Sequence, residues 1–182
     1  IRSDCDELVI IDIDITFTGE QLRRLLEHDV PLVYGIYPKK EPATNPCLCG
    51  FPDELLRDQP DSRLKEVRRA GRGFMRVARE VFEAMKEDNG GHALRFHNHG
   101  RVEWAFWKSG VVDGVMSCYA EGEKDEDGFP KREWISEDWW FCEEARKLGF
   151  KTLVDPYIAL GHIGPMEYRF GETQREKIDP SA

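Results

Sequence analysis

The feature that most constrains this chain is a pair of aspartates within an apolar run, LVIIDIDITFT, at residues 8–18. Apart from Asp12 and Asp14, the run is rich in β-branched residues and predicts a strand over residues 7–15. Apolar side chains on both faces are typical of the central strands of a parallel sheet. An unpaired carboxylate is costly to bury, so the aspartates need a partner. A divalent metal that carries a nucleotide, a phosphoryl group about to be attacked, or a nearby arginine would each serve.

The spacing of the two aspartates favours a shared ligand if the segment is a strand. Positions two apart on a strand point to the same face, with Cα atoms roughly 6.6 Å apart, so Asp12 and Asp14 would project together, opposite Ile11, Ile13 and Ile15. Two carboxylates within about 4 Å repel each other, and a divalent cation such as Mg²⁺ or Mn²⁺ turns that repulsion into attraction. The pair also lies near the carboxyl end of its strand, where open α/β sheets bind ligands. A structural salt bridge remains the alternative.

Composition narrows the class of protein. The chain has 182 residues with 26 Lys and Arg against 35 Asp and Glu, a net charge of −9. This balance argues against a nucleic-acid-binding or anionic-membrane surface. We expect no transmembrane segment, because no apolar run reaches the ~20 residues of a membrane span, and no signal segment, so we expect a cytoplasmic protein. The five cysteines are expected to be reduced, with Cys47 and Cys49 in a loop.

The order of the predicted elements indicates an α/β layered domain. Thr18 and Gln21 form a capping-box pattern at the start of the first helix. We expect His97 and His99 to lie on the surface, at a hairpin turn. The predicted elements are a helix at 18–28, a strand at 31–37, a long loop at 38–63, a helix from GRGF at 71–74 to residue 86, a hairpin at 93–107, a charged mobile loop at 121–133, a helix at 136–148, a strand at 151–156 and a polar tail at 169–182.

Three stretches together resemble the GT-A glycosyltransferases, most closely the family-2-like members. They are IIDIDITFTGEQLRRLLEHDVPLVYGIYPKK, GRGFMRVAREVFEAM and ISEDWWFCEEARKLGFKTLVDPYIALGHIGP, and the resemblance covers residues 8–165. It implies a Rossmann-like mixed sheet flanked by helices, in one glycosyltransferase-like domain over residues 1–182. Such domains normally have nucleotide-binding strands before the Asp-x-Asp motif. We therefore expect the N-terminal part of the fold to be missing from this sequence.

The resemblance also implies a donor site for a nucleotide sugar, that is, for a nucleoside diphosphate carrying a hexose. In the family, the Asp-x-Asp motif binds Mn²⁺ or Mg²⁺, which holds the diphosphate. Asp14 would ligate the metal directly, and Asp12 would bind the ribose or a metal-bound water. His162 matches a histidine that completes the metal shell, and imidazole is an acceptable ligand for Mn²⁺. By residue type alone, His162 would more often be structural.

The remaining predicted site residues belong to the acceptor side, where a carbohydrate or another hydroxyl compound would bind. The acid that matches Asp138 is the general base of inverting relatives, and Glu137 is the second candidate. The two acids that follow Ser136 also simply suit a helix start, where negative charge interacts favourably with the helix dipole. The loop of Gly71, Gly73 and Phe74 lines the sugar and acceptor pocket in the family. Trp139, together with Trp140, would offer a flat surface on which a sugar stacks, or an apolar wall that keeps the site partly dry. Tryptophan is, however, more often simply part of the core.

Two other functions fit the same residues. Asp-x-Asp-x-Thr is also the nucleophile motif of haloacid-dehalogenase-type phosphatases, in which Asp12 would accept the phosphoryl group, Asp14 would act as acid and base, and Thr16 would assist. That family needs further Ser/Thr, Lys and acidic motifs that the sequence does not supply in the expected places. A non-catalytic carbohydrate-binding domain would keep the aromatic residues and need no metal.

Overall fold

A five-stranded mixed sheet organises the described part of the chain, which comprises residues 4–40, 46–49, 64–87, 93–112, 123–165 and 167–169 of a computed structural model. The strands are β1 (Glu7–Ile11), β2 (Ile15–Thr16), β3 (Leu32–Ile36), β4 (Leu48–Cys49), β5 (Lys65–Val67), β6 (Arg69–Ala70), β7 (Phe74–Ala78), β8 (Leu94–Asn98), β9 (Arg101–Ala105), β10 (Gly110–Val112), β11 (Glu133–Ile135), β12 (Thr152–Ala159), β13 (Gly161–Ile163) and β14 (Glu167–Arg169). The helices are α1 (Gly19–Glu27), α2 (Arg79–Glu87) and α3 (Glu137–Lys147). The expectation of an α/β fold is confirmed at this level.

The main sheet has the strand order β1-β7-β3-β12-β5. Strands β3 and β12 are parallel, and the other neighbouring pairs are antiparallel. β1 therefore lies at the edge, paired only with β7 within this sheet, and Leu8 is 40% exposed. The prediction of a central parallel strand at this position is wrong. The apolar run that suggested it continues beyond the strand into a turn and into β2, which belongs to a different sheet.

Apolar side chains on the two faces of the sheet form two cores. On one face, alternate residues of β3, including Leu32 and Tyr34, pack with residues of α2 and α3. On the other face, Val33 and Phe74 pack with Leu25 of α1. Because successive side chains of a strand point to opposite faces, one strand contributes to both cores. Strand β3 is accordingly buried along its whole length.

Helix α1 begins as its sequence predicts. The Thr18 side chain accepts a hydrogen bond from Gln21 N, and Gln21 Oε1 accepts one from Thr18 N at 2.8 Å, which completes the capping box. The Gln21 amide nitrogen also donates to the carbonyl of Ala159 at 2.7 Å. The cap thus both starts the helix and fixes its first turn against β12.

Other predicted elements are also correct, including the strands at 31–37 and 151–156, which are β3 and β12. The hairpin is formed by β8 and β9, with exposed His97 and His99 near its turn and a positive φ of 46° at His99. Ser136 is the N-cap residue of α3, although its side chain makes no capping hydrogen bond. Gly149, with a φ of 89°, follows that helix as expected of a C-terminal stop.

The segment after GRGF differs from its prediction. Phe74–Ala78 is the buried strand β7, and the helix starts only at Arg79. Residues 74–77 are buried on both faces of the sheet, so they lack the alternation of a half-buried strand. Their apolar residues also fit a helical spacing with Val81 and Met85, which explains the wrong assignment.

The charged loop is closed by turns in its described part. Lys124 and Pro130 form an isolated bridge, and Asp125 N donates to the carbonyl of Phe129 at 2.9 Å. Glu133 belongs to β11 rather than to the loop. Residues 121–122, most of the loop at 38–63, and residues 170–182 of the predicted tail lie outside the described residues.

The structure also bears on the membrane and cysteine expectations. None of the helices in the described residues is both long enough and apolar enough to cross a bilayer. Cys5 and Cys142 form no disulfide, and the expected reduced state of the cysteines stays a prediction. Cys118 and the side chain of Cys49 lie outside the described parts.

Candidate functional site

The two aspartates lie in a turn that follows β1. Ile15 N donates to the carbonyl of Asp12 at 3.1 Å and closes the turn, while Asp12 N donates to the carbonyl of Gly73 at 2.9 Å. Ile13, between them, is fully exposed to solvent. The prediction that Asp12 and Asp14 share one face of a strand is therefore wrong. The alternation of a strand does not apply within the turn.

A small sheet brings His162 to Asp14. Strands β14, β13 and β2 are antiparallel neighbours, and His162 of β13 is in register with Ile15 of β2. Ile163 N donates to the Asp14 carbonyl at 2.8 Å. As a result, His162 Nε2 lies 3.6 Å from Asp14 Oδ2, although the two residues are far apart in sequence. The juxtaposition expected from the family resemblance is present.

The imidazole of His162 is oriented by a backbone carbonyl. Its Nδ1 lies 2.8 Å from the Pro38 oxygen, and because a carbonyl can only accept, Nδ1 must carry the proton. Nε2, the other ring nitrogen, faces Asp14. A carbonyl behind a histidine is the usual outer partner of a metal-bound imidazole. The Tyr37 ring packs edge-on against the imidazole, with centroids 5.2 Å apart.

Lys40 occupies the cationic position beside Asp14. Its ammonium group donates a hydrogen bond to Asp14 Oδ2, the oxygen that faces His162. The hydrogen bond from Lys40, and secondarily its positive charge and that of His162, hold the pKa of Asp14 below the usual value. The side chains of Lys40 and Asp14 are 38% and 35% exposed. The first partner of the acidic motif in this structure is therefore a lysine.

The donor set fits a divalent cation only in part. Asp14 and His162 supply an oxygen and a nitrogen ligand of the types that Mn²⁺ accepts. Within the described ranges, no group of three or more His, Cys, Asp or Glu side chains is arranged to hold a metal ion. Asp12 therefore does not complete a three-ligand cluster with them. A cation held by one or two protein ligands takes its other ligands from substrate phosphates or water.

Tyr37 fills the space between the aspartate turn and the GRGF segment. Its hydroxyl accepts a hydrogen bond from Gly73 N at 2.9 Å. A Cβ atom at Gly71 would lie 2.2 Å from this hydroxyl, and one at Gly73 would lie 2.9 Å from it. Burial raises the pKa of Tyr37, as do the negative charges of Asp138 and Asp12. The two glycines therefore make room for Tyr37, which differs from the substrate contact expected of them.

Phe74 has no surface to offer a substrate. Its side chain is fully buried in the core on the α1 face, and its ring packs against Phe17 with centroids 5.2 Å apart. This burial argues against the predicted substrate contact for Phe74.

Asp138, in the first turn of α3, forms the second acidic position. Burial raises its pKa to about 6; the Glu137 and Asp12 charges also raise it, whereas a hydrogen bond from the Arg72 backbone and the Arg72 charge lower it. Arg72 Nε lies 3.2 Å from Asp138 Oδ1, and Arg72 Nη2 lies 3.4 Å from Glu137. Asp138 Oδ1 is nevertheless buried without a hydrogen bond to any described residue. A carboxylate with a pKa near 6 is suited to act as a general base at neutral pH.

Three tryptophan rings, two of them next to Asp138 in the sequence, each have a cationic neighbour. Arg69 lies over the Trp139 ring at 5.0 Å, Lys108 over Trp140 at 5.0 Å, and Arg72 over Trp107 at 5.9 Å. The Trp139 ring thus faces a cation of the same chain. The wall predicted for it remains a prediction.

Three residues of this region were not singled out by the sequence. Tyr37 and Lys40 follow β3 in the stretch YGIYPKK, and Arg72 lies between the two glycines of GRG. The sequence signal that could have pointed to Lys40 and Arg72 is charge complementarity, because a partly buried acid needs a nearby cation. Nothing in a single sequence indicates which basic residue meets which acid.

Comparison of the chain with protein-family models, with curated proteins and with solved structures gives no match. The likeness to GT-A glycosyltransferases therefore rests on the motifs of the sequence. What the structure adds is the geometry around them.

Proposed function

We propose that this chain is a metal-dependent glycosyltransferase of GT-A type, which transfers a hexose from a nucleotide-sugar donor to an acceptor hydroxyl. The observation that carries the proposal is the meeting of Asp14 and His162, with Nε2 3.6 Å from Oδ2 and Nδ1 held by the Pro38 carbonyl. A cation between Nε2 and Oδ2 would bind both groups, and the Pro38 carbonyl at Nδ1 is a usual outer partner of a metal-bound imidazole.

Asp14 and His162 would hold Mn²⁺ or Mg²⁺ at the donor side. The bound cation would neutralise the charge that develops on the departing diphosphate. Asp12 adds negative charge to the same turn, and its predicted role is to bind the ribose or a metal-bound water. Donor phosphates would supply ligands that the described residues do not.

Asp138 would act at the acceptor side. Its pKa of about 6 leaves it largely ionised at neutral pH. It would take the proton of the acceptor hydroxyl as the acceptor oxygen bonds to the sugar and the bond from the sugar to the diphosphate breaks. Arg72 would orient the carboxylate, since it contacts both Asp138 and Glu137.

The phosphatase alternative is less well supported by the site. That mechanism needs Asp14 to act as a general acid, which requires a pKa near or above neutral pH. The Lys40 hydrogen bond instead lowers the pKa of Asp14.

Thermal melting tests the proposal. A ligand at a hundred times its Kd adds about 2.7 kcal/mol, which for a chain of this size raises the Tm by about 5 to 10 °C. We expect this shift with Mn²⁺ plus the cognate member of a panel of nucleoside diphosphates. Asp14→Ala should abolish the shift, and the exposed-loop variant Asp127→Ala should retain it.

Other outcomes discriminate between the candidate functions. A shift that survives in Asp14→Ala would remove Asp14 from the site. Hydrolysis of a generic phosphate ester would favour the phosphatase. Binding of sugars with no response to Mn²⁺ or nucleotide would favour the carbohydrate-binding domain.

A further inference from the structure

Asp14 Oδ2 has two neighbours, Lys40 and His162, and a divalent cation would be repelled by the first and bound by the second. The Lys40 ammonium donates a hydrogen bond to it, and Nε2 of His162 faces it from 3.6 Å. A cation at this oxygen would gain the histidine as a second ligand. The Lys40 ammonium, which is hydrogen-bonded to the same Asp14 oxygen, would repel that cation. The ammonium and the cation therefore compete for one position.

The lysine is held loosely enough to leave. The side chains of Lys40 and Asp14 are each more than a third exposed. Ion pairs of this exposure contribute little free energy and are screened by salt. His162, by contrast, is only 14% exposed and is fixed through Pro38 and the Tyr37 ring. His162 is therefore the fixed group beside Asp14 Oδ2, and the lysine is the exchangeable one.

We propose that Lys40 is a displaceable counter-ion, which neutralises Asp14 when no metal is bound and yields this position to a divalent cation. The inference rests on the proposed function, because it concerns the same cation site. It assigns to Lys40 a regulatory role, which is to weaken metal binding by the free protein. The alternative is that Lys40 occupies this position permanently and takes the place of a metal ion.

The experiment measures the affinity for Mn²⁺ alone, by electron paramagnetic resonance of the free ion. Lys40→Met should bind Mn²⁺ about fivefold more tightly than the unmodified chain, the ratio expected from losing a half-exposed ion pair. Lys40→Arg keeps the charge and should leave the affinity unchanged. Lys39→Met is the matched control, because it removes the same charge from the neighbouring exposed residue. Melting curves without metal establish that each variant is folded.

Each other result has a definite meaning. Equal affinities in Lys40→Met and Lys39→Met, or weaker binding in Lys40→Met, would overturn the inference while leaving the metal-dependent transferase intact. If the unmodified chain and all variants failed to bind Mn²⁺, the metal site of the proposed function would fall and the inference with it. Nucleoside diphosphate binding without metal that is lost in Lys40→Met would identify the permanent lysine instead.

Discussion

At the scale of single residues, Asp138 is the acid whose chemistry departs most from that of a surface aspartate. Burial raises its pKa to about 6, and this would be higher without Arg72. The arginine lies within 3.2 Å of the carboxylate and also faces the Trp107 ring. Arg72 therefore increases the fraction of Asp138 that is ionised at neutral pH.

Replacement of Arg72 by methionine should raise the pKa of Asp138 further above 6. The reason is that the substitution removes a positive charge and leaves burial and the Glu137 charge in place. The pH titration of the Asp138 carboxyl carbon by nuclear magnetic resonance measures this directly and requires no knowledge of the substrate. Arg95→Met, on the exposed hairpin strand β8, is the control. A lowered or unchanged pKa in Arg72→Met would show that Arg72 does not control Asp138.

The ordered motifs correctly indicated that Asp14 and His162 lie together, but the buried Phe74 differs from the substrate contact expected from the same motifs. The expectations from local periodicity failed. The meeting of Asp14 and His162 followed from the family resemblance. Their spacing in the sequence carried no such information. The shared strand face of Asp12 and Asp14 was wrong because a turn interrupts the strand. Lys40 could not be paired with Asp14 in advance, since the contact depends on how β2 and β3 are placed in the fold.

At the scale of elements, helices and strands were predicted best where capping or turn residues delimit them. Helix α1 has its capping box and α3 its C-terminal glycine, and both were correctly placed. The predicted helix wrongly includes strand β7, because a strand buried on both faces has no polar alternation. The mixed order of the main sheet was not accessible, because strand order depends on contacts between distant segments.

Helix α1 is fixed to β12 by a buried acid. Asp155 is only 1% exposed, and both Oδ atoms accept hydrogen bonds from Arg24, with Arg24 Nε at 2.6 Å from Oδ2. His28 Nε2 lies 2.6 Å from the same Oδ2, and Tyr157 N donates to Oδ1. Since a buried carboxylate is costly to leave unpaired, this cluster anchors α1 to β12.

Two neighbouring arginines of α1 provide a matched comparison. Arg24→Met should destabilise the fold by about 2 kcal/mol, because it removes charge-assisted hydrogen bonds from a buried acid. Arg23→Met should change stability by less than about 0.5 kcal/mol, because Arg23 and its partner Glu27 are largely exposed. Urea unfolding of both variants measures the difference. Equal effects would mean that the Asp155 cluster does not anchor the helix.

At the scale of the whole molecule, α3 is joined to the sheet region through the buried Glu143. Burial would raise the pKa of Glu143, but hydrogen bonds from Arg146, Arg69 and Arg68 outweigh it and lower the pKa. Arg69 is itself fully buried, so its ion pair with Glu143 lies inside the protein. The same helix carries Asp138 at its first turn. A buried ion cluster thus holds α3, the helix whose first turn carries Asp138.

The ionisable groups affect stability in opposite directions as the pH changes. Glu7, through its hydrogen bond with Arg76, and Glu143 have lowered pKa values. Their contributions are therefore present above their ordinary pKa and are lost as the pH falls through the lower folded value. Asp138 behaves in the opposite way, because its pKa is raised. Folding disfavours its ionised form, so its contribution becomes unfavourable as the pH rises from about 4 to about 6.

Asp138→Asn should therefore stabilise the protein while removing the proposed base. Above pH 6 the variant should be more stable by about 1 to 3 kcal/mol, the free energy of a shift from 3.8 to about 6 at a side chain that is 22% exposed. At pH 4 the advantage should nearly vanish, because the native aspartate is protonated in the folded state. Urea unfolding of both proteins at pH 4 and pH 8 measures this, with Asp127→Asn as the exposed control. A gain that is equal at both pH values would contradict the assigned pKa. A gain confined to high pH would mean that the chain keeps an acid at a cost in stability, which favours a chemical role for Asp138.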